Sequence, residues 1–117
     1  VASFKSGEYI AEVLDIIGPK VLIQTLAVHK FPLQGDLHHP YQANVPVFHQ
    51  RKALSYRERV MVPQNTIIPF NGEVPDYTDS LKSALEADLQ EFRSRSGKWE
   101  EMAVTALEEL KKEYFPK

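Results

Sequence analysis

The sequence predicts an α+β protein in which a small antiparallel β-barrel, residues 1–77, is followed by a C-terminal helical hairpin, residues 78–117, that packs on it. Three observations support this prediction. Two apolar runs flank a Gly-Pro turn near the start, a proline-interrupted loop region covers residues 29–59, and the apolar spacing becomes helical from Thr78 onward. At 117 residues and 43% hydrophobic content, the chain can bury a modest core.

The strand signals lie in the first part of the chain. Residues 9–17 are rich in branched side chains, the Gly18-Pro19-Lys20 segment breaks the run, and residues 21–28 (VLIQTLAV) are almost continuously apolar. Two such runs joined by a short turn predict an antiparallel hairpin. Further extended segments are expected at 45–48, 53–62 and 67–70, and about five short strands favour a small barrel.

The helix signals begin at Thr78 or Asp79, either of which can cap a first turn. Apolar residues then recur at helical spacing to Phe92, with only Asp88 interrupting the face, and a polar stretch ending in Gly97 predicts a break. A second apolar stripe follows, with glutamates in its first turn and lysines in its last, which suits the helix dipole. We expect that stripe to be core: Trp99, Met102, Leu107 and Leu110.

Composition excludes several classes of function. The net charge is −2, with acidic and basic residues nearly balanced, so we expect no nucleic-acid partner. The chain has no cysteine, which excludes thiolate metal sites and cysteine nucleophiles. No apolar run approaches the roughly 20 residues of a membrane span. The first residue is Val1, and we expect a native start upstream of it.

The loop region 29–59 holds all four histidines and is the predicted site. Asp36, His39 and His49, with His38, carry the side chains that a divalent metal prefers. Their spacing matches no helical or strand metal pair, so polar loop histidines are the simpler interpretation. An Asp36–His39 acid–base pair is the catalytic alternative. The sequence contains no nucleophile elbow and no glycine-rich phosphate loop.

Basic residues cluster towards the end of the same loop. Arg51, Lys52, Arg57 and Arg59 surround Tyr56 and could recognise a phosphate or an acidic partner. The alternative is the solvated face of a strand pair, with Glu58 offsetting part of the charge.

Long strings within the chain resemble a known family. The run LAVHKFPLQGDLHHP, then VPVFHQRKALSYRE, PFNGEVPDYTDSL and the terminal KEYF are similar to the kinase-associated protein B family of spore-forming Gram-positive bacteria. The resemblance extends from about Gly7 to Phe115 and implies an SH3-like barrel with a C-terminal helical segment. It also implies a regulatory role beside a sensor histidine kinase that feeds the sporulation phosphorelay, and it supplies no catalytic motif.

The resemblance therefore predicts a non-enzymatic accessory protein without a cofactor, whose partner is a sensor histidine kinase. Members of the family are sometimes labelled lipoproteins, whereas this sequence has no cysteine to carry a lipid. We expect a cytoplasmic protein that reaches the inner face of the membrane through its partner. The composition of the loop gives the predicted contact residues: Phe31, Gly35, Asp36, His38, His39, Tyr41, Phe48, Arg51 and Arg57.

Two other interpretations stay open at this point. The first is a small-ligand or metal-dependent enzyme centred on Asp36, His39 and His49. The second is a homodimer joined through the helical hairpin.

Overall fold

The computed structural model describes residues 1–116, and it confirms the α+β class. Four strands form one antiparallel sheet in the order β1-β2-β3-β4, and two helices follow. The bounds are β1 (Ala2–Phe4), β2 (Gly7–Ile17), β3 (Lys20–Lys30), β4 (Arg59–Pro63), α1 (Tyr77–Arg93) and α2 (Lys98–Tyr114), with a short 3-10 helix at Gln64–Thr66 between β4 and α1. Among residues 1–116, neither helix is long and apolar enough to cross a bilayer.

The predicted closed barrel is not confirmed, because the sheet within the described residues stays open between β1 and β4. The Ile68 N–H donates to the Val1 carbonyl at 2.9 Å, and the Val1 amino group donates to the Ile68 carbonyl at 2.6 Å. This contact brings the segment after the 3-10 helix to the start of β1, but it does not continue as a ladder.

The predicted β2–β3 hairpin is confirmed. Ile17 and Lys20 pair across a two-residue turn in which Gly18 has a φ of +61°, a conformation that favours glycine. The pairing shifts register at three places along β2, and the last shift leaves Leu14 as an extra residue between Val13 and Asp15. Such bulges bend the strand and change which side chains share a face.

The shorter strands were predicted less well. Residues 45–48, 53–58 and 67–70 form no strand. Of the expected 53–62 segment only residues 59–62 are extended, as part of β4, which ends one residue later at Pro63. The irregular segment 50–54 directs backbone groups to distant side chains and not to a neighbouring strand. Conversely, the polar start of the chain forms β1, which pairs Ala2 with Tyr9 and was not predicted.

Both helices are confirmed, with one correction at the first cap. Helix α1 begins at Tyr77, and the Asp76 carboxylate accepts a hydrogen bond from the Asp79 N–H at 3.1 Å. Asp76 therefore takes the capping position expected for Thr78 or Asp79, because its carboxylate reaches a free N–H of the first turn. Helix α2 has glutamates in its first turn and lysines in its last, as predicted.

The main core lies where the helices cover the sheet and the loop. Buried side chains from β2, β3, the loop and both helices form one cluster, which includes Tyr9, Phe31, Leu85, Leu107 and Leu110. A smaller cluster, made by Ala2, Val21, Ile23 and Val62, lies within the sheet. Of the predicted α2 stripe, Trp99, Leu107 and Leu110 are buried and Met102 is partly exposed. The division into residues 1–77 and 78–117 stays a prediction.

Candidate functional site

The loop between β3 and β4, residues 31–58, is folded on itself by two polar side chains. The Gln34 amide accepts from the Arg51 N–H at 2.9 Å and donates to the Arg51 and Pro32 carbonyls at 3.0 Å each. The Arg51 guanidinium donates to the Leu33 carbonyl at 3.1 Å and also to that of Gly35. These bonds satisfy backbone groups that no strand pairs, so the loop has a defined shape without regular structure.

Two of the predicted contact residues have side chains that are engaged within the fold. Phe31 is only 1% exposed and lies edge-to-face against Tyr114, with ring centroids 6.4 Å apart. Arg51 is partly buried, which lowers the pKa of its guanidinium, although the nearby Asp36 carboxylate raises it. Because Arg51 donates to two loop carbonyls, its guanidinium acts within the fold.

The middle of the loop packs on Trp99, the second residue of α2. The Trp99 side chain is 3% exposed, packs edge-to-face on Phe92 at 5.0 Å, and carries Tyr41 at 4.9 Å and Phe48 at 6.3 Å between ring centroids. Tyr41 itself is 56% exposed and has a φ of +63°. An exposed ring is therefore held on a buried one.

Gly35 makes this packing feasible. Its φ is +95°, and a Cβ at this position would lie 2.9 Å from Phe48 and 3.1 Å from the Trp99 Nε1. The Gly35 N–H donates to the His49 carbonyl at 2.8 Å, which holds the two sides of the loop together. Glycine suits this position because it has no Cβ to meet the two rings and because it adopts a left-handed φ without strain.

Asp36 and two histidines form the polar part of this surface. The Asp36 carboxylate accepts from the His38 N–H at 2.9 Å and lies 3.3 Å from the His39 Nδ1. The bond from His38 and then the contact with His39 hold the pKa of Asp36 below its ordinary value. Both imidazoles are exposed. Asp36, His38, His39, Tyr41 and Phe48 are called the loop face below.

The three-residue metal site of the alternative interpretation is not assembled. His49 contributes its backbone carbonyl to the loop, while Asp36 pairs with His39 alone. Among residues 1–116, no group of three or more histidine, cysteine, aspartate or glutamate side chains is arranged to hold a metal ion. The Asp36 carboxylate is instead bonded to the His38 N–H and the His39 ring, which are close to it in sequence.

The end of the loop is attached to α2. The Gln50 amide donates to the Ala106 carbonyl at 2.9 Å, and the exposed Lys52 and Glu113 side chains pair. Beyond it, the hydroxyls of Tyr9, Tyr77 and Tyr114, here called the tyrosine clamp, bond the backbone of Ala53 and Leu54.

Arg57 has different partners from Arg51 and is not bonded to the Leu33 and Gly35 carbonyls. It has a φ of +67°, its N–H donates to the Thr25 carbonyl at 2.8 Å, and its guanidinium lies over the Tyr56 ring at 5.3 Å. Tyr56 also lines a cleft of about 500 Å³ with Leu26, Tyr77 and the Val74–Thr78 segment. The predicted contact residues therefore fall into five groups: the buried Phe31, the Arg51 engaged with loop carbonyls, the Gly35 packed below Phe48 and Trp99, the loop face, and Arg57.

Comparison with known proteins agrees with the resemblance in the sequence. The family model described as kinase associated protein B matches residues 4–115. The chain belongs to the kinase-associated protein B family. The curated kinase-associated lipoprotein B of Bacillus subtilis (strain 168) is 42% identical over 112 residues, which cover 96% of this chain and 88% of that protein.

A solved structure shares the fold of this family member. The crystal structure of kinase-associated protein B from Bacillus cereus superposes with a TM-score of 0.82 at 34% identity, over 97% of this chain and 90% of that one. The two proteins therefore share one fold over nearly their whole length.

The prediction from sequence missed the positions of two residues of the candidate surfaces in this family member. The sequence predicts Trp99 in the core or at an exposed face of the helical hairpin, and Tyr56 beside basic residues or on a strand face, whereas the structure packs Tyr41 on Trp99 and Arg57 on Tyr56. Trp99 is the second residue of α2 and lies two positions after the Gly97 break. That position was a signal that its ring could contact a loop as well as the core. No feature of the sequence indicated that Tyr41 would reach it.

Proposed function

We propose that this protein is a non-enzymatic regulatory accessory protein of a sporulation sensor histidine kinase, acting in the phosphorelay by direct protein–protein contact through the loop face. The family and the name of the Bacillus subtilis relative support a kinase-associated role. The structural observation that supports the surface is the half-exposed Tyr41 ring held on the buried Trp99.

A ring held in this way is a favourable contact residue. Tyrosine offers a large apolar surface with few rotatable bonds, and its position on Trp99 reduces the entropy lost when a partner orders it. Asp36, His38 and His39 lie just before it in the sequence, in one hydrogen-bonded turn that carries a carboxylate and two imidazoles. Polar groups beside an aromatic anchor are typical of the surfaces that dominate binding energy.

The proposed contact set is smaller than the one predicted from composition. Phe31 is buried and Arg51 is engaged with loop carbonyls, so neither side chain is offered to a partner. Gly35 acts by allowing Phe48 and Trp99 to approach. Arg57 is exposed and provides a separate cationic contact.

We further propose an SH3-like arrangement of the sheet and a location at the cytoplasmic face of the membrane. The reciprocal hydrogen bonds of Val1 and Ile68 support an SH3-like arrangement of the sheet, in which the chain after the 3-10 helix returns to β1. We also place the protein in the cytoplasm, at the inner face of the membrane, because the proposed partner is a membrane sensor kinase with a cytoplasmic catalytic portion. A kinase held at the membrane would bring its accessory protein there.

The test is a titration of the purified protein against the cytoplasmic portion of the kinase, at low and at moderate salt, with autophosphorylation followed in the same samples. We expect binding together with a changed rate of autophosphorylation. Tyr41→Ala should weaken binding about tenfold, the cost of removing an aromatic anchor. No binding at either salt concentration, or binding without a change in rate, would contradict direct regulation.

The control is Phe70→Ala, which removes an exposed ring outside both the loop face and the Arg57–Tyr56 pair. Phe70→Ala should bind the kinase like the unmodified protein. If both variants lose binding equally while both stay folded by circular dichroism, the loop face is not the contact surface.

A further inference from the structure

The outer edge of β2 is unpaired over most of its length. β1 pairs only with Gly7–Tyr9, so from Ile10 to Ile17 β2 has a hydrogen-bonded neighbour on one side alone among the described residues. An edge of this kind presents backbone groups that can bind another extended chain. None of its residues belongs to the loop face, so this inference does not rest on the proposed kinase contact.

The bulge at Leu14 determines which side chains of this edge lie on the same face of the sheet. Glu12 pairs with Gln24 and Asp15 with Leu22, so both carboxylates lie on one face of the hairpin. Across the bulge, Val13 and Ile16 lie on the other face, opposite Ile23 and Val21. One face of the edge therefore carries both carboxylates, with Ile17 at its end beside the turn, and the other face is apolar.

The apolar face is incompletely covered. Val13 is 48% exposed and Ile16 is 60% exposed, although Ile23 and Val21, their cross-strand partners, are each 1% exposed. The buried cluster of Ala2, Val21, Ile23 and Val62 thus leaves Val13 and Ile16 uncovered, and the apolar face of β2 continues into solvent. A strand added beside β2 would cover these two side chains with its own residues of the same face.

The charges of the edge decide between a second copy and a different partner. Residues 10–17 (IAEVLDII) contain two acidic residues and no basic one. In any symmetric antiparallel pairing of two such edges, Glu12 and Asp15 face only apolar or acidic side chains. Like charges directly opposite each other are destabilising, whereas opposite charges are stabilising. Self-pairing is therefore disfavoured.

We propose that the β2 edge binds an extended segment of another protein in which apolar residues alternate with lysine or arginine. The basic side chains lie on the face of Glu12 and Asp15, and the apolar ones lie on the face of Val13 and Ile16. Backbone hydrogen bonds fix the strand, and the alternation selects it.

In the free protein, the Asp15 side chain occupies one of the backbone donors of the edge. Its carboxylate accepts a hydrogen bond from the Ile16 N–H at 2.9 Å. An incoming carbonyl takes over this donor, and the released carboxylate pairs with a basic side chain. Acidic side chains and bulges are the devices by which edge strands resist non-specific pairing.

The test uses two synthetic seven-residue peptides, one alternating lysine with valine and one alternating glutamate with valine. Fluorescence anisotropy should show that the basic peptide binds about tenfold more tightly than the acidic one, because cross-strand charge pairs replace like-charge contacts. Amide hydrogen exchange should slow within residues 10–17 on addition of the basic peptide. Equal binding of both peptides, no binding of either, or protection elsewhere would overturn the proposal.

Two double variants separate the edge from net charge. Glu12→Lys with Asp15→Lys should reverse the peptide preference, whereas Glu73→Lys with Glu101→Lys changes net charge equally at exposed positions away from β2 and should preserve it. If the preference for the basic over the acidic peptide changed equally in both variants, net charge would explain it and the proposal would be overturned. Light scattering that reveals a dimer abolished by the β2 variant would instead assign the edge to a second copy.

Discussion

The Tyr9 hydroxyl of β2 accepts a hydrogen bond of 3.2 Å from the N–H of Leu54, 45 residues further along the chain. The Tyr77 hydroxyl donates to the Leu54 carbonyl, and the Tyr114 hydroxyl accepts from the Ala53 N–H at 3.2 Å. One strand and both helices thus hold the same two residues of the loop. The tyrosine clamp replaces the strand ladder that this segment lacks.

Tyr9→Phe tests the contribution of the clamp. The ring is retained, and the loss leaves the Leu54 N–H without its partner in a buried environment, so the free energy of unfolding should fall by about 1–2 kcal/mol. Urea unfolding followed by tryptophan fluorescence gives the value. Tyr56→Phe, whose hydroxyl belongs to an exposed ring, is the control and should change stability by less than about 0.5 kcal/mol. Equal effects would contradict the clamp.

The clamp also predicts sensitivity to alkali. Burial raises the pKa of Tyr9 from its ordinary value of 10.0 to about 12, with a smaller opposing contribution from the Leu54 N–H, and burial likewise raises the pKa of Tyr77 and Tyr114. Between pH 10 and 12 the unfolded chain loses a proton that the native Tyr9 keeps. The contribution of Tyr9 to the free energy of unfolding is therefore fully present below pH 10 and is lost as the pH rises towards 12. Unfolding free energies that stay constant from pH 9 to 11.5 would contradict this.

Arg51 and Arg57 offer a matched pair of substitutions. Lysine keeps the charge but cannot span two carbonyls as the guanidinium of Arg51 does, so Arg51→Lys should cost about 1–2 kcal/mol of unfolding free energy. Arg57 stacks on an exposed ring, and Arg57→Lys should cost less than about 0.5 kcal/mol. Urea unfolding measures both. A larger loss at Arg57 than at Arg51 would contradict the internal role of Arg51.

The elements that could be predicted are those whose signals are local. The Gly18 turn with its flanking apolar runs determines the hairpin, and the three-and-four spacing before Phe92 and after Gly97 determines the helices. Asp76 was missed as a cap because Thr78 and Asp79 are equally suitable residue types. β1 was missed because three residues carry no usable period.

The loop could be located from its prolines and histidines, but its shape could not be predicted. It depends on bonds between residues far apart in sequence, such as Gln34 with Arg51 and Gln50 with Ala106. Composition therefore placed Phe31 and Arg51 on the surface, where their residue types are common in interfaces, although tertiary packing buries the first and engages the second. The juxtaposition of Tyr41 and Trp99 has the same long-range origin.

Gly35→Ala tests the close packing below the loop face. The new Cβ would lie 2.9 Å from Phe48 in addition to adopting an unfavourable φ, so the free energy of unfolding should fall by about 2–3 kcal/mol. Gly18→Ala is the matched control: its φ is also positive, but a Cβ there meets nothing within 4 Å, so only the backbone cost of about 1 kcal/mol applies. Equal losses in chemical denaturation would show that Phe48 and Trp99 move aside freely.

Asp88 interrupts the apolar face of α1, and the structure shows the consequence of its position. Burial raises the pKa of its carboxyl from 3.8 to about 6, although attraction by Lys30 lowers it and repulsion by Glu91 raises it slightly. The native protein therefore holds a proton between pH 4 and 6 that the unfolded chain has released. Stability from this group rises as the pH falls through 6 towards 4, and the charged carboxylate is unfavourable at pH 7.

Asp88→Asn should consequently raise the free energy of unfolding at pH 7, by about 1 kcal/mol once solvent screening of the half-buried group is allowed for. The difference should shrink at pH 4, where the native aspartate is already neutral. Urea unfolding at pH 4, 5.5 and 7 gives the comparison, with the exposed Glu73→Gln as control. A gain of the same size at all three pH values would mean that the amide stabilises by packing or hydrogen bonding, and that the raised pKa of Asp88 has no effect on folding.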